Sequence, residues 1–328
     1  MNNKCVGCGA ILQTEFNDKE GYTKDTNNKL CERCFRINHY GDYKVIVKDN
    51  NEFINILKDI NKTNDLVVLV VDLLNINQEL LNLSKIITNP ILLVLSKRDL
   101  LPKSLFEDKI LEYMDRFKLN IIDKVIISSN KNYQFDDLYE KINLYKRSKD
   151  VYVVGFTNAG KSTMINKLLY NYSNVDTRIT TSVLPSTTLN NIELSLNDDL
   201  TIIDTPGLLD KGNIINYVDG KDLKVIVPTK EIKPITYQIK GKQVVEIDKY
   251  AFVECLNTDI TLFMSNKLNI KRNYNDFEFG EFDTYEIDVN RGEDIVIVGL
   301  GFIKVSKKSN FKIHVLKNVL VYKRDSLI

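Results

Sequence analysis

Residues Val151 to Val154 run directly into Gly155, Phe156, Thr157, Asn158, Ala159, Gly160, Lys161 and Ser162. This GxxxxGKS spacing constrains the chain more tightly than any other feature, because it needs a buried strand before it and a helix after it. Such a strand belongs to a parallel sheet covered by helices on both faces. Glycines let the backbone wrap a phosphate, and the helix start adds free amides and a positive dipole end. Lys161 then reaches the outer phosphate oxygens and Ser162 is placed to ligate magnesium, with Thr163 beside it. Gly155, Asn158, Ala159, Gly160, Lys161, Ser162 and Thr163 are therefore the expected phosphate-side residues.

The flanking sequence has the pattern this loop demands. Phe53, Ile54, Ile56, Leu57 and Ile60 recur at helical spacing, and Leu66 to Val71 form a continuous apolar run. Apolar runs at Ile91 to Leu95 and Val125 to Ile127 follow, separated by helical stripes at Phe106, Ile110, Met114 and Phe117, and then at Phe135, Leu138, Ile142 and Tyr145. Short apolar runs between amphipathic helices predict a doubly wound, mostly parallel sheet. After about Ile214 the helical spacing fades. Val225 to Val227, Val244 to Ile247, Ile260 to Met264, Ile295 to Val298 and Val319 to Tyr322 read as strands of a β-rich module. At about 150 residues per domain, 328 residues hold two or three domains. The expected division is residues 1–48, 49–214 and 215–328.

A second phosphate-linked motif lies downstream. Leu200 to Ile203 lead into Asp204, Thr205, Pro206 and Gly207. An acidic residue at a strand end holds magnesium through water, and a glycine amide three residues later senses the outermost phosphate. Between the two motifs, Thr181 to Thr188 form a polar stretch in which Thr188, with Thr187 next to it, is placed to close on magnesium. On the other side of the phosphate loop, Ile91 to Leu95 end in Ser96, Lys97, Arg98 and Asp99. A strand-end carboxylate at Asp99 can accept two hydrogen bonds from N1 and N2 of guanine, a pair adenine cannot offer, although Lys and Asp at a strand end more often form a solvated loop. Ser128 and Ser129, after the next apolar run, carry backbone amides for the guanine O6.

Four of the five cysteines fall into two pairs, Cys5 with Cys8 and Cys31 with Cys34, separated by 22 residues. A redox reading needs one pair beside a βαβ unit, so the expected role is a four-thiolate zinc site stapling a segment too polar to build a core. Cys255 and His39 read as ordinary packing or surface residues. The 45 basic and 44 acidic residues nearly cancel, which excludes a global field driving the chain onto nucleic acid or anionic lipid. A local imbalance remains. Asp276 to Asp294 are strongly acidic and Phe302 to Ile328 strongly basic, so the tail either contacts RNA or is neutralised by its acidic neighbour. No apolar stretch approaches the roughly 20 residues that span a bilayer, and the first residues build no secretory signal. The expectation is a cytoplasmic protein with no membrane partner.

These motifs resemble those of the TRAFAC-type GTPases, with base-reading elements first and phosphate loop, switch threonine and Asp-Thr-Pro-Gly after them: a circular permutation. With Cys5-Val6-Gly7-Cys8-Gly9 and Cys31-Glu32-Arg33-Cys34-Phe35-Arg36 in front and Gly299-Leu300-Gly301-Phe302 in the last module, the order resembles the YqeH family of ribosome-assembly GTPases. The resemblance implies an α/β fold: a circularly permuted P-loop GTPase domain with an N-terminal zinc knuckle and a C-terminal β-rich, RNA- or partner-binding domain. It implies hydrolysis of GTP to GDP with Mg2+, a bound Zn2+, and a partner in the small ribosomal subunit or its rRNA precursor. Lys161, Asn158, Thr188 and Gly207 would carry the catalysis, Asp204 and Gly207 would watch the γ-phosphate, and Lys97, Asp99 and Ser129 would recognise guanine. Ser96 and Ser186 replace the family's usual Asn and Gly, and the shorter Ser96 predicts reduced guanine affinity. Leu208 stands where Ras-like enzymes have a water-orienting glutamine. Slow intrinsic hydrolysis and stimulation by K+ held partly by Asn158 are expected. The competing readings are an RNA-binding assembly scaffold that binds GTP and barely hydrolyses it, and an ATP-using P-loop kinase, which Asp99 argues against.

Overall fold

The structure is a computed structural model. It describes residues 5, 11–16, 21–32, 47–48, 50–76, 78–173, 184–185, 192–208, 210–274 and 280–328. The chain forms two compact units: 1–72, 78–96 and 119–209 make one, and 73–77, 97–118 and 210–328 the other.

The first unit is organised by a seven-stranded sheet. Its strands are β2 (Leu66–Asp72), β3 (Ile91–Ser96), β4 (Asp123–Ile126), β5 (Asp150–Gly155), β6 (Leu184–Pro185), β7 (Ile192–Asn197) and β8 (Leu200–Asp204). Their spatial order is β4-β3-β2-β5-β8-β7-β6. Neighbours from β4 to β8 run parallel, while β7 and β6 add an antiparallel edge. Leu66 to Val70 are all 0% exposed, as a strand covered on both faces requires. By contrast β7 alternates between buried and more open positions, the mark of a strand with one face on the core. Helices α1 (Asn50–Ile60), α2 (Gln78–Ile86), α4 (Phe135–Tyr145) and α5 (Lys161–Tyr172) accompany this sheet, α3 (Glu107–Asp115) lying in the second unit. Phe135, Leu138 and Ile142 of α4 and Met164, Ile165 and Leu168 of α5 share one core with the inward residues of β2, β3 and β5. A two-residue parallel pair joins β1 (Val47–Lys48) to β9 (Gly207–Leu208).

The second unit holds two five-stranded antiparallel sheets. One orders β10 (Ile235–Gln238), β13 (Asp259–Met264), β17 (Gly301–Val305), β16 (Glu293–Ile297) and β19 (Val321–Asp325). The other orders β14 (Ile270–Asn273), β11 (Lys242–Ile247), β12 (Ala251–Leu256), β18 (Ser309–Leu316) and β15 (Phe282–Val289). Both contribute to one core, with Val245, Val253, Ile313 and Val315 from one sheet and Ile260, Leu262, Ile303 and Val305 from the other.

Several expectations are corrected here. Val225 to Val227 do not form a strand. They end helix α6 (Gly220–Ile226), started by Asp219, whose side chain accepts from the amides of Lys221 and Asp222, a cap that overrides β propensity. Phe106, assigned to a buried stripe, is 72% exposed because it caps α3 instead of lying within it. Val319 and Leu320 precede β19 in a turn. Residues 73–77 and 97–118 group with the C-terminal sheets in one compact unit. The reason is hydrogen bonding: the Ile76 carbonyl accepts from the Tyr322 hydroxyl at 3.0 Å and Arg324 at 3.2 Å, and Asn75 accepts from the Gly299 amide at 3.2 Å.

The tail charges are largely neutralised within the unit. The antiparallel register sets β15 against β18 and β16 against β19. Lys317 thereby meets Glu281 at 2.8 Å, Lys312 meets Glu286 at 3.3 Å and Lys323 meets Glu293 at 3.3 Å. Lys307 reaches Asp259 at 3.1 Å. Such exposed pairs contribute little stability, but they remove the local field that the tail's composition advertised.

Candidate functional site

The phosphate loop grows out of the middle of the sheet. A Cβ on Gly155 would lie 2.4 Å from the Val70 carbonyl oxygen, so only glycine lets β5 end this close to β2. Beyond it Asn158 and Gly160 adopt left-handed conformations, with φ of 61° and 93°. Asparagine tolerates that region and glycine enters it without penalty. Backbone turns of this kind make an anion-binding concavity, and α5, which begins at Lys161 with no acidic residue in its first turn, adds its dipole.

Lys161 is 3% exposed. Its Nζ donates to the Thr205 carbonyl at 2.7 Å and lies 3.7 Å from Asp204 Oδ1. Burial pushes its pKa down and the Asp204 carboxylate acts against that shift. The Ser162 Oγ is buried and has no hydrogen-bond partner among the described residues. The orphaned Ser162 hydroxyl and the buried strand-end carboxylate of Asp204 are oxygen donors of the kind that suits Mg2+. Thr163 is exposed on the next position of the helix. Thr205, which the motif reading did not single out, is 1% exposed and donates through its hydroxyl to the Val153 carbonyl at 2.9 Å. Its place inside Asp-Thr-Pro-Gly was the available signal.

Gly207 and Leu208 form β9, and the Leu208 carbonyl accepts from the Thr157 amide at 2.9 Å. Leu208 is buried. The position of a Ras-like glutamine is therefore an apolar side chain bonded through its backbone to the phosphate loop. Thr187, Thr188 and Ser186 lie outside the described residues.

On the base side, Ser96 ends β3 with its Oγ 2.5 Å from the Ala159 carbonyl and 3.1 Å from that of Val71. A hydroxyl has one proton, so these two acceptors share it, and the side chain braces the phosphate loop against the sheet. Lys97 follows with φ of 65° and opens the 3-10 turn Arg98–Leu100, in which Asp99 is half-buried. Arg98 fastens that turn by donating to the carbonyls of Leu101, Pro102 and Leu105 and to Glu107 at 3.2 Å. Nothing in the tetrapeptide had marked Arg98 for this work. The Ser128 amide donates to the Tyr133 carbonyl at 3.3 Å. Ser128 is thus engaged within its own loop.

In the N-terminal segment Cys5 and Cys31 are both buried, 2% and 1% exposed, and the Cys31 amide donates to Cys5 Sγ at 3.2 Å. An amide aimed at sulfur favours the thiolate that zinc needs. Cys8, Cys34 and His39 lie outside the described residues, and among the described residues no group of three metal-binding side chains occurs. Cys255 is buried in β12, where burial pushes its thiol up to about 12, as expected of an inert packing cysteine.

A parallel sheet with this loop, a buried lysine and Asp-Thr-Pro-Gly defines a P-loop GTPase whose elements run in rotated order. The RsgA GTPase family profile matches residues 55–212, which include the Ser96–Asp99 segment as well as the phosphate loop, and the profile described as 50S ribosome-binding GTPase matches 150–277. A protein of Bacillus subtilis (strain 168), "Uncharacterized protein YqeH", is 33% identical, with 99% of each chain covered. "NO-associated protein 1, chloroplastic/mitochondrial" of Arabidopsis thaliana is 28% identical over 72% of this chain and 48% of the relative. "GTPase Der" of Mycoplasma mycoides is 28% identical over 53% of this chain and 44% of the relative. The chain belongs to the YqeH-type circularly permuted GTPases. It binds GTP with Mg2+ and hydrolyses it to GDP. No helix among the described residues is long and apolar enough to cross a membrane.

Proposed function

We propose that this GTPase is a cytoplasmic switch in small ribosomal subunit biogenesis, loading or releasing an rRNA precursor according to the nucleotide it holds. One observation carries the reading. Beyond the phosphate-sensing Gly207 the chain passes directly into a β unit: the Ile214 amide donates to the Val298 carbonyl at 3.0 Å and the Leu320 amide to the Gly212 carbonyl at 2.9 Å. Ordering of residues near Gly207 by γ-phosphate, a recognised switching mode, therefore pulls on a segment anchored in the C-terminal unit.

In this reading Asp204 and Ser162 hold Mg2+, Thr188 closes on it, and Lys97, Asp99 and the Ser129 amide read guanine. Asn158, exposed on the loop, contributes to a K+ site that compensates for Leu208. Cys5, Cys8, Cys31 and Cys34 hold Zn2+. The RNA contact is assigned to the edges of the two C-terminal sheets instead of the neutralised tail. There Arg272 lies 5.5 Å from the Tyr237 ring and 5.7 Å from the 67% exposed Tyr274 ring, and it forms no ion pair among the described residues. The exposed Tyr274 ring, beside a cation with no ion pair among the described residues, suits unpaired bases and phosphate.

The test is GTP turnover in potassium and in sodium buffer, with ATP as competitor, and with small or large ribosomal subunits added. Turnover that ignores ATP, falls in sodium and rises with the small particle is expected. The large particle is a pertinent control because one matched family is described as 50S ribosome-binding. Stimulation by that particle alone would replace the small-subunit assignment. The scaffold reading is less favoured because the matching families are GTPases, and it would return if GTP bound and no condition produced turnover.

A further inference from the structure

The guanine-reading turn is held by the C-terminal unit. The Leu100 carbonyl accepts from the Ile232 amide at 2.9 Å, and the Lys103 amide donates to Glu231 Oε1 at 3.0 Å. Residues 231–233 are themselves fixed by one side chain just past β13. Asn266 donates through Nδ2 to the Glu231 carbonyl at 2.8 Å and accepts through Oδ1 from the Lys233 amide at 2.8 Å. Asn266 thus grips both sides of Ile232, which is 2% exposed. The segment so fixed then grips the turn at positions 100 and 103. Asp99 sits within that turn, one residue before the bonded carbonyl, and Arg98 ties the rest of it down from inside.

We infer that Glu231 and Asn266 are positioning residues for guanine recognition, setting the placement of Asp99 from the C-terminal unit. This rests on the reading that Asp99 accepts from N1 and N2 of the base. A carboxylate that accepts two bonds must be held to within a fraction of an ångström, and its supporting residues carry that precision. The base is common to GTP and GDP, so loosening the clamp weakens both equally and leaves the chemical step alone. A ligand of the C-terminal sheets that shifted residues 231–233 would therefore alter nucleotide retention without touching the phosphate loop.

The experiment measures dissociation constants of GTP, GDP and ITP, and kcat at saturating GTP, for the full chain and for Glu231→Ala, Glu231→Gln, Asn266→Ala and Asp99→Asn. ITP lacks the 2-amino group, so the GTP to ITP ratio reports how well Asp99 is aimed. Glu231→Ala and Asn266→Ala are expected to weaken GTP and GDP by a common factor of about five, the scale of one net hydrogen bond. They should also lower the GTP to ITP ratio and keep kcat, while Glu231→Gln, which retains the acceptor, restores the wild-type ratio. A lowered melting temperature with an unchanged GTP to ITP ratio in both alanine variants overturns the inference, provided Asp99→Asn abolishes the preference. If Asp99→Asn leaves the preference intact, the base-reading assignment fails and the clamp fails with it.

Discussion

Two stretches separated by a single residue are held in opposite ways. Gly207 and Leu208 are tied by a two-residue parallel pair and by the Thr157 amide, a few backbone bonds that an arriving phosphate would exchange for its own in the proposed switch. In the stretch from Asp210 to Ile214, Asp210, Asn213 and Ile214 are buried. Asn213 caps the following turn by accepting from the Ile215 amide, Ile214 is 0% exposed, and a Cβ on Gly212 would come 2.5 Å from Leu320 Cβ. In the proposed switch, this contrast is the mechanical consequence of the rotated motif order. In the unrotated order a switch segment is followed by more of its own domain, whereas here one end is exchangeable and the other is built into a different unit.

The largest expected effect comes from breaking the fixed end. Gly299 has φ of 81°, and a Cβ there would lie 1.8 Å from Asn213 Oδ1. Gly299→Ala combines a left-handed alanine with overpacking, together about 3 kcal/mol of lost stability. Chemical denaturation should show that loss while GTP affinity of the folded protein stays near wild type. A matching loss of affinity would mean that the two ends are not separable. Lys161→Ala acts on the exchangeable end. It removes the cation that holds the Thr205 carbonyl at 2.7 Å and that would meet the β and γ oxygens. Loss of charge-assisted bonds of roughly 1.5–3 kcal/mol predicts GTP binding weaker by on the order of 100-fold in calorimetry, with little change in melting temperature.

The two ends also differ in how readily the chain betrays them. Gly155, Lys161, Asp204 and Gly207 were legible because phosphate chemistry imposes a fixed spacing within a few residues, and Leu66 to Val71 were legible because a doubly covered strand needs an unbroken apolar run. The anchoring of Asp210 to Ile214 was not legible, since it depends on Val298, Gly299 and Leu320, about a hundred residues away in the chain. For the same reason the membership of 97–118 in the C-terminal unit was hidden. It is written in Ile232, Glu231 and Arg324, whose local sequence carries no trace of it. Composition misled in the tail, where Lys312 and Lys317 look like a basic patch until register sets them against Glu286 and Glu281. Periodicity misled at Val225, where a single Asp219 cap decided for helix.

Leu208→Gln sharpens the comparison within the exchangeable end. Leu208 is buried and bonded to the loop only through its backbone, so a glutamine there keeps the pairing and adds an amide able to orient water. Intrinsic turnover in sodium buffer is expected to rise about tenfold, equivalent to ~1.4 kcal/mol of barrier, and the proposed dependence on potassium to shrink. Burying an amide costs stability, so the melting temperature falls at the same time. Unchanged turnover would show that the missing glutamine is not what slows this enzyme.

The smallest effect belongs to Ser96, whose hydroxyl braces the phosphate loop through the Ala159 carbonyl at 2.5 Å. Gly160 leaves room beside it, since a Cβ there would be 3.6 Å from Ser96 Oγ. Ser96→Asn offers a longer side chain that keeps a donor for Ala159 and brings a second polar atom toward the base. The gain is at most one net hydrogen bond, less the cost of fitting a larger group into a 2% exposed position. GTP affinity should rise by about threefold, within the ~1 kcal/mol typical of such a bond, and the GTP to ITP ratio should not change if Asp99 reads the 2-amino group as proposed. A rise in that ratio would move part of guanine recognition from Asp99 to position 96. A fall in affinity would show that bracing the loop, not reaching the base, is what this serine does for nucleotide binding.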